Sequence, residues 1–515
     1  MSNGREFRGR GSIQRLWLEL EKVLSAVTDS EYNPFYYIGA IGIFFLWVIF
    51  ISGIVLFIFY TVTARGAYNS VQRLTVGQWY FGGVMRSLHR YAAEGLVIAG
   101  IIHTLRCYVL DRYKHWRWLA WVSGVILMWL IWIGGIFGYW MVWDERAKFI
   151  ALSSAKMLES IPLLGMPLSL TFARAANVTD ELFYIILVIH FFSLFVVFIL
   201  LLVHLSRITK AIVNPPRIVA YGVVFTLLLL ALLHPATSAP AADLERLTQS
   251  IPFDWLFMFV FPGLKYLSAI NLWLLIVTFT LVLSIVPWLT REKRLPVTVV
   301  KLQNCTGCAL CMEDCPYGAI QMKPRTDSMP YELEAYVVDK RCASCGICTG
   351  SCDYKAMGLP DMPEEYLKGE IRSRLKALRP VIDSPKIMVF SCSKGPFTGN
   401  GIPGHVWAGV LTLQCIGQLQ PSMITTAFEE GVDGVFIAGC TLGDCSFRFG
   451  NDWLDERLLR HRPPILKKSI DRARIRTAWL SAVQRRHFLE SLAEFHGELG
   501  AIRTDSVNEP PSRNK

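Results

Sequence analysis

The sequence predicts a multi-domain membrane protein in which a bundle of six membrane-spanning helices precedes a cysteine-rich soluble half. The chain of 515 residues is 53% hydrophobic and has a mean hydropathy of +0.37, which is high for a soluble protein. Several apolar stretches reach the roughly 20 residues that cross a bilayer as a helix. Twelve of the thirteen cysteines lie after residue 300, at the spacing of metal ligands and not of a disulfide framework.

Six apolar segments are expected to cross the membrane, at about 36–61, 82–109, 118–142, 181–206, 218–234 and 267–289. Basic residues precede the first segment and follow the second, fourth and sixth, among them Arg112, Lys210 and Lys293. The positive-inside rule makes these loops cytoplasmic, so both termini and the cysteine-rich half are expected on the cytoplasmic side of the inner membrane. In a membrane protein a net charge of +11 is typical of basic cytoplasmic loops, and no basic stripe with interleaved aromatics indicates nucleic-acid binding.

Two of the apolar segments each carry a pair of histidines fourteen residues apart, His89 with His103 and His190 with His204. Fourteen residues are close to four helical turns, so each pair lies on nearly one face, about 21 Å apart. Two such helices side by side can hold two stacked haems, each bound by one histidine from each helix. The alternative, four unrelated histidines bonded to neighbouring helices, does not explain the shared interval, and intramembrane histidines are functional candidates.

Glycines repeat the fourteen-residue interval in two other segments. Gly39 and Gly53 lie in the first segment, and Gly124 and Gly138 lie in the third. A porphyrin between helices requires close approach of the backbone, which glycine allows. Packing of helix on helix also favours small residues, but it does not explain the common interval.

Residues 1–292 resemble cytochrome b of the quinol-oxidising bc complexes. The resemblance rests on Arg86-Ser-Leu-His-Arg, His103-Thr-Leu-Arg, the run from Gly124 to Gly138-Tyr-Trp-Met-Val-Trp, and the pair His190 and His204. It implies an all-α bundle with two b haems, of which His89 and His190 bind the outer one and His103 and His204 the cytoplasmic one. It also implies that Arg86 and Arg106 face haem propionates, and it allows a homodimer through this half.

The segment Phe253-Asp254-Trp255-Leu256 lies where that family carries Pro-Glu-Trp-Tyr. The resemblance gives Asp254 the role of the glutamate that accepts a proton from quinol at an outer site. The sequence departs at both flanks, and aspartate is one methylene shorter. The alternative is an interfacial segment with a solvated Asp254. Ile161-Pro-Leu-Leu-Gly165 resembles part of the wall of the same site.

Residues 293–365 contain one cysteine pattern twice, as Cys305-x2-Cys308-x2-Cys311-x3-Cys315-Pro316 and Cys342-x2-Cys345-x2-Cys348-x3-Cys352. This is the run of bacterial ferredoxins with two [4Fe–4S] clusters, in which the fourth cysteine binds the other cluster. The predicted ligand sets are Cys305, Cys308, Cys311 and Cys352 for one cluster, and Cys342, Cys345, Cys348 and Cys315 for the other. Zinc is the alternative metal. The stretch from Gln321 to Lys340 exceeds a minimal ferredoxin and is a candidate partner surface.

Residues 385–505 are expected to form a small α/β domain, because apolar runs end at Cys392 and Cys440 as buried strands would. The remaining cysteines, Cys392, Cys415, Cys440 and Cys445, lie near strand ends or turns. Four thiolates suit one [2Fe–2S] cluster; zinc or free buried thiols are the alternatives. Residues 506–515 are expected to be a disordered tail.

Gly431-Val-Asp-Gly-Val, Gly439-Cys-Thr-Leu-Gly-Asp-Cys445 and Gly450-Asn451 make this domain similar to the iron–sulfur delta subunit of methyl-viologen-reducing hydrogenases. The resemblance implies a [2Fe–2S] cluster on the four cysteines. It also implies electron exchange with a flavin-containing, heterodisulfide-reductase-like or hydrogenase-like soluble subunit. The extra cysteine that the family carries shortly after the first is replaced here by Ser393-Lys-Gly-Pro.

The three parts together predict a redox subunit of a quinone-linked oxidoreductase, in which iron–sulfur clusters and haems link a soluble partner to quinone. The sequence shows no catalytic dyad, glycine-rich dinucleotide loop or flavin motif, so the substrate chemistry is expected on another subunit. A first alternative is quinol oxidation beside Asp254, with electrons split between a Rieske-like acceptor and the iron–sulfur chain. A second is a non-catalytic membrane anchor or redox sensor; in an anchor the matched histidine pairs would have no role.

Overall fold

A computed structural model describes residues 11–508 apart from 162–167, 173–176, 207, 209, 247–250, 290–294, 379–383 and 400. The chain divides into two compact units. The membrane unit comprises Tyr37–Ser206 and Ala211–Arg291, and the iron–sulfur unit comprises Met1–Tyr36, Arg207–Lys210 and Glu292–Lys515. Most of the segment Ile161–Gly165, and the end of the predicted tail from residue 509, lie outside the described residues.

The first helix, α1 (Gly11–Thr28), is amphipathic. Its exposed large apolar side chains recur at intervals of three and four residues: Ile13, Leu16, Leu20, Val23 and Val27. The other side of the helix is tied to the following turn, where the amide of Asn33 donates to the carbonyl oxygen of Glu21 at 2.9 Å. The spacing gives α1 one continuous apolar face.

The membrane unit is all-helical in its described part. Its helices are α2 (Ile38–Phe59), α3 (Ala67–Gln72), α4 (Val84–Val109), α5 (Trp118–Val142), α6 (Glu145–Glu159), α7 (Asp180–Leu205), α8 (Arg217–Leu233) and α9 (Ala269–Leu289). Two π-helical turns precede α4, and the second of them (Trp79–Gly83) extends its apolar span to Trp79–Val109. In α2, α5, α7 and α9 apolar residues surround the helix, as bilayer-spanning helices require.

Five helices in the described residues are long and apolar enough to cross a membrane, namely the spans that contain α2, α4, α5, α7 and α9. The sixth predicted span coincides with α8, an apolar helix of 17 residues. That length is at the lower limit for a membrane-spanning helix. The predicted helical bundle is confirmed, and the count of six spans is approximate.

Helix α4 packs along α2, and α7 packs along α5. Glycines allow close contact at both pairs: Gly95 of α4 faces the ring of Phe45, and Gly134 of α5 faces Ser193 of α7. The largest core cluster of the membrane unit joins α5 and α6 to the segment before α9, with Phe257 and Met258 fully enclosed. This core positions the chain around residue 254 against α4 and α5.

The ferredoxin-like part consists of two short helices and four short strands. These are β1 (Val299–Val300), α10 (Leu310–Glu313), β2 (Ile320–Pro324), β3 (Leu333–Val337), α11 (Ile347–Gly350) and β4 (Met357–Gly358). Strand β1 pairs antiparallel with β4, and β2 pairs antiparallel with β3. Each short helix begins inside a Cys-x2-Cys-x2-Cys run, so the two halves repeat one backbone design.

The C-terminal part is a four-stranded parallel sheet with helices on both faces. Its elements are α12 (Glu364–Lys376), β5 (Ile387–Cys392), β6 (Ala408–Leu413), α13 (Pro421–Glu429), β7 (Gly434–Gly439), α14 (Gly450–Leu458), β8 (Ile475–Trp479) and α15 (Arg485–Asn508). The strand order is β6-β5-β7-β8, and all pairs are parallel. The strands are buried on both faces, which explains their continuous apolar runs. The predicted α/β architecture is confirmed.

Close packing at Gly135 generates a first prediction. A Cβ atom there would lie 2.1 Å from Cε1 of the buried Phe257 ring, whereas a Cβ atom at Gly222 of α8 would meet nothing within 4 Å. Gly135→Ala should destabilise the membrane unit by about 1–3 kcal/mol through overpacking. Thermal unfolding of the detergent-solubilised chain measures the effect. Gly222→Ala is the control, and equal shifts for both variants would contradict the packing argument.

Candidate redox centres

The four intramembrane histidines form two pairs between α4 and α7. The ring centroids of His89 and His190 are 6.3 Å apart, and those of His103 and His204 are 6.5 Å apart. Metal–imidazole bonds of about 2.0–2.1 Å, with each centroid about 1.2 Å behind its nitrogen, place the centroids of two imidazoles on opposite sides of one metal ion about 6.4–6.6 Å apart. Both pairs therefore have the separation that one iron atom between two imidazoles requires.

Hydrogen bonds orient three of the four rings through Nδ1. The Nδ1 atom of His89 lies 3.0 Å from the carbonyl oxygen of Ile49, and that of His190 lies 2.9 Å from the carbonyl oxygen of Gly134. The ring of His204 bonds to the backbone of Ala120, and its Nδ1 lies 3.1 Å from Oγ of Ser123. An Nδ1–H that donates to a carbonyl leaves Nε2 as the nitrogen that binds a metal.

The pair at the other end of α4 has one distinct contact. The Nε2 atom of His103 lies 3.8 Å from the sulfur of Cys107, one helical turn further along α4. Cys107 is a free thiol of intermediate exposure.

Each of the four glycines of the fourteen-residue pattern lies against one of these imidazoles. A Cβ atom at Gly39 would lie 3.1 Å from His103, and one at Gly53 would lie 3.2 Å from His89. On α5, a Cβ atom at Gly124 would lie 3.2 Å from His204, and one at Gly138 would lie 3.1 Å from His190. The shared interval predicts room for a porphyrin. The structure adds that these glycines let α2 and α5 approach the histidine rings themselves.

The two arginines predicted to face propionates lie on the same helix as the histidines. Arg86 is one turn before His89, and its guanidinium donates to Thr75 and, at 2.8 Å, to Oγ of Ser238. Arg106 lies in the last turn of α4, beyond His103, and is buried. Each guanidinium is thus placed at one end of the α4–α7 pair.

Asp254 is buried and paired with neighbouring side chains in this arrangement. Its side chain is 7% exposed, forms an ion pair with Arg90 and accepts a hydrogen bond from the hydroxyl of Tyr139. It also accepts from the backbone N–H groups of Leu256 at 2.7 Å and Phe257 at 3.1 Å. Burial alone would raise the pKa of Asp254, but the Arg90 charge and these hydrogen bonds hold the pKa below its usual value. The expectation of a solvated aspartate is wrong.

The eight cysteines of the ferredoxin-like part fall into two groups, as the crossed pattern predicts. The first cysteine group, Cys305, Cys308, Cys311 and Cys352, lines one cavity. In the second cysteine group, the thiols of Cys315, Cys342 and Cys345 are the neighbours of Cys348. Burial, followed by the neighbouring thiols of its group, raises the pKa of Cys311 to about 12. Each group supplies four thiols that metal would have to deprotonate on binding.

The backbone of both cysteine loops turns in the same way. Gly307 and Ala309 in the first loop, and Ser344 and Gly346 in the second, have positive φ between 53° and 77°. Such turns aim backbone N–H groups into the concave side of a loop, where they can stabilise anionic sulfur. The N–H groups of Ala319 and Ala356 donate to the sulfurs of Cys315 and Cys352 at 3.3 and 3.2 Å. Each of these hydrogen bonds would stabilise the negative charge of a thiolate at its site.

The insertion between the two cysteine runs braces the first loop. Arg325, at the end of β2, donates to the carbonyl oxygens of Cys305 at 2.5 Å and Leu302 at 2.6 Å. Its side chain is 3% exposed and is paired with Asp327. The hairpin therefore has a structural task beside the partner surface that its length suggested.

The last four cysteines, the C-terminal cysteine group, meet at the carboxyl edge of the parallel sheet. Cys392 ends β5, Cys440 follows β7 directly, and their sulfurs are 3.7 Å apart. Cys415 contacts Cys392 and Cys445, which closes the ring with Cys440. The contact with Cys392 lowers the pKa of Cys440, so the ring stabilises a thiolate, the form that binds metal. Carboxyl ends of adjacent parallel strands are a common position for such sites.

Sequence reasoning missed the residues that support these centres. Arg90 and Tyr139 hold Asp254 from 164 and 115 positions away. Ser52 lies 3.1 Å from Nδ1 of His89, and Ser123 has the same relation to His204. The serines did carry a signal, because each directly precedes a glycine of the fourteen-residue pattern. No sequence signal indicates that Asp254 pairs with Arg90 and Tyr139.

Comparison with protein families divides the chain in the same places. The cytochrome b family model, described as "Cytochrome b/b6/petB", matches residues 23–212, and the "4Fe-4S dicluster domain" model matches 304–357. The model "Methyl-viologen-reducing hydrogenase, delta subunit" matches residues 400–502. The first match contains all four histidines, whereas Asp254 lies beyond it and Cys392 lies before the third match.

Individual relatives resemble the membrane part. Cytochrome b6 of Mastigocladus laminosus is 29% identical over 163 residues, which are 32% of this chain and 74% of the relative. Cytochrome b6 of Synechococcus elongatus is 29% identical over 159 residues, 31% of this chain and 72% of the relative. Among solved structures, a chain of "Hyperthermophilic respiratory Complex III" aligns with a TM-score of 0.42 at 16% identity. That alignment covers 54% of this chain and 83% of the other.

These matches confirm the predicted fusion of a cytochrome b-like part, a two-cluster ferredoxin-like part and a hydrogenase delta-subunit-like part. The chain is therefore a multi-pass membrane protein built from domains of electron-transfer proteins. Its cytochrome b part implies haem b, and its dicluster part implies [4Fe–4S] clusters.

The pairing of Asp254 generates a second prediction. Asp254→Asn removes the ion pair with Arg90 and should destabilise the chain by about 1–3 kcal/mol at pH 7. Because the folded-state pKa is lowered, the charge contributes stability above the unfolded pKa of about 3.9, and this stability is lost as pH falls through the folded value. Thermal unfolding at pH 7 and pH 3 should show a difference that shrinks in acid. Asp243→Asn, at a carboxylate paired with the exposed Arg246, is the control; an equally large effect there would contradict the assignment.

Proposed function

We propose that this chain links a soluble redox partner to the quinone pool through one [2Fe–2S] cluster, two [4Fe–4S] clusters and two b haems. The observation that carries the proposal is the facing of two histidine pairs between α4 and α7, each at the separation of two axial ligands. A membrane anchor without redox activity would need neither pair. The haems and clusters, when bound, supply one-electron carriers, and the residues described above hold and orient them.

In this proposal His89 and His190 bind one haem, and His103 and His204 bind the other. The Nδ1 contacts fix the rings, and the glycines of α2 and α5 make room beside them. Arg86 and Arg106 are assigned to the propionates of the two haems. A guanidinium is always charged and forms paired hydrogen bonds with a carboxylate, which suits this position.

The cysteine groups are assigned to iron–sulfur clusters in the predicted order. The first and second cysteine groups each bind one [4Fe–4S] cluster, supported by the match to a dicluster domain. The C-terminal cysteine group binds a [2Fe–2S] cluster, supported by its closed ring of four thiols and by the delta-subunit resemblance. One zinc ion is the competing occupant of that ring.

The orientation follows from charge. Basic residues follow the carboxyl ends of α4 and α7, as in Arg112 and Lys114, and Arg217 begins α8. The positive-inside rule places these loops, and with them the His103–His204 end, on the cytoplasmic side. The soluble partner is then a flavin-containing subunit of heterodisulfide-reductase-like or hydrogenase-like type. Quinone takes up electrons near the His103–His204 end.

Quinol oxidation at an outer site remains the competing function. It requires a base beside the quinol, and the resemblance offers only Asp254 for this role. The ion pair with Arg90 and the lowered pKa make Asp254 a poor proton acceptor. This pairing favours quinone reduction on the cytoplasmic side.

Replacement of His103 tests the proposed route to quinone. His103→Leu should abolish the α-band of one b haem in reduced-minus-oxidised spectra and reduce donor-driven quinone reduction by at least tenfold, while the other haem is retained. His234, which contacts Tyr91 at the end of α8, provides the control, because His234→Gln should keep both haems and full activity. Full activity of a His103 variant that lacks one haem would refute the route.

Replacement of Cys415 tests the identity of the C-terminal centre. In the full chain, Cys415→Ser should lower the iron content by about two per chain and remove a [2Fe–2S] signal without changing the two [4Fe–4S] signals. Metal analysis that finds about one zinc per chain in the native protein, lost in the variant, would assign a structural zinc site instead. Ser393→Ala, one residue beyond Cys392, is the matched control and should leave the metal content unchanged.

A further inference from the structure

The ferredoxin-like and C-terminal parts meet through three stacked glycines, Gly350, Gly417 and Gly450, which we call the glycine column. A Cβ atom at Gly350 would lie 2.1 Å from the carbonyl oxygen of Gly417, and one at Gly417 would lie 2.7 Å from Cα of Gly450. A Cβ atom at Gly450 would lie 2.3 Å from the sulfur of Cys415. No side chain fits at any of the three positions, so α11, the turn at Gly417 and α14 pack backbone against backbone, and Gly450 of α14 packs directly on Cys415.

The helix at the start of this column belongs to the loop of the second cysteine group. Gly346, between Cys345 and Cys348, packs against the side chain of the fully buried Gln418, with a Cβ–Cδ distance of 2.9 Å for an added Cβ atom. The thiol of Cys345 lies within electrostatic reach of Cys445. The two groups therefore face each other across the junction.

The first cysteine group differs from the second in its neighbours and in its exposure. The thiols that surround Cys311 are Cys352, Cys308 and Cys305, all of its own group. Cys308 is exposed, whereas Cys342, Cys345 and Cys348 are buried. The two candidate [4Fe–4S] sites thus differ in what they face.

A buried arginine, Arg457, connects the C-terminal part to the ferredoxin-like part at the junction formed by the glycine column. Arg457 on α14 is fully buried and forms an ion pair with Asp314, which lies between Cys311 and Cys315. The same guanidinium donates to Oγ of Ser351 at 2.9 Å and to the carbonyl oxygen of Gly417 at 3.4 Å. Arg462 adds a second contact to Asp314 at 2.6 Å. Arg457 of the C-terminal part therefore contacts both cysteine loops and the glycine column.

We propose that the second cysteine group holds the [4Fe–4S] centre that exchanges electrons directly with the C-terminal centre, and that Arg457 is the positioning residue of this junction. The inference rests on the proposed function, which places iron–sulfur clusters at both groups. The residues of the C-terminal cysteine group would hold the electron donor and those of the second cysteine group the acceptor; one electron would pass between them, and no bond or proton would be transferred. The electron originates from the soluble flavin-containing partner. The first cysteine group is then the next relay.

Spin relaxation in the full chain tests which centre is the neighbour. A nearby paramagnetic cluster accelerates relaxation of the reduced [2Fe–2S] signal, so its saturation at low temperature reports the neighbour. Cys345→Ala and Cys308→Ala should each remove about four irons per chain. We expect saturation at lower microwave power in Cys345→Ala and native behaviour in Cys308→Ala. The reverse pattern, or no difference, would overturn the order of centres. Absence of a [2Fe–2S] signal from the native chain would overturn the proposed function as well.

Two further variants keep every cysteine and test the junction itself. Gly417→Ala should force α14 away from α11, and Arg457→Lys should lose the planar fork while keeping the charge. Both variants should retain the native iron content. In both, the relaxation of the [2Fe–2S] signal should be accelerated less than in the native chain, and electron transfer between the two centres after rapid reduction should be at least tenfold slower. Gly497→Ala in α15, where an added Cβ atom meets nothing within 4 Å, is the control. Native relaxation and rates in both junction variants would refute the role of the column and of Arg457.

Discussion

The membrane unit depends on close approach of two helix pairs at two levels. Histidines fourteen residues apart on α4 and α7 face each other, and glycines at the same interval on α2 and α5 lie against their rings, with added Cβ atoms at 3.1–3.2 Å. A larger residue at any of the four glycines would push a ring from its position or a helix from its neighbour. Because the period is close to four turns, one local contact is repeated at each end of the bundle. The glycines also bring the helix backbones close enough for the carbonyl groups of Ile49, Ala120 and Gly134 to accept hydrogen bonds from three of the rings.

The iron–sulfur unit applies a comparable constraint by different means. In the ferredoxin-like part, residues with positive φ recur at the same two positions of each cysteine loop, so one backbone design is used twice. In the C-terminal part, parallel strands bring cysteines that are up to 53 positions apart to one edge of the sheet, from Cys392 to Cys445. In both parts the fold brings together cysteines from separate segments of the chain, which a single loop could not do.

Residue spacing allowed much of this to be predicted. The histidine interval, the crossed cysteine runs and the alternation of strands and helices are local patterns. In the structure the first corresponds to two pairs of facing rings, the second to two groups of thiols, and the third to a parallel sheet. What spacing could not give was tertiary pairing. The sequence allows Asp254 as a base or as a solvated carboxylate, but in the structure Asp254 is held by Arg90 and Tyr139, which are far away in sequence. The burial of Arg457 against Asp314 was equally invisible, because neither residue belongs to a recognisable motif.

The buried Arg457–Asp314 pair is a poor choice if stability were its only effect. Removing two charges from water is costly, and apolar residues of similar volume often stabilise a core as well or better. A guanidinium, however, donates in fixed directions, and here its donors reach Asp314, Ser351 and Gly417 together. Apolar packing would allow α14 to slide against the cysteine loops by small steps, whereas a displaced guanidinium leaves a buried charge unpaired. The pair therefore makes intermediate separations of the two parts unfavourable. For electron transfer, which depends steeply on distance, a single enforced separation matters more than the stability that an apolar contact would add.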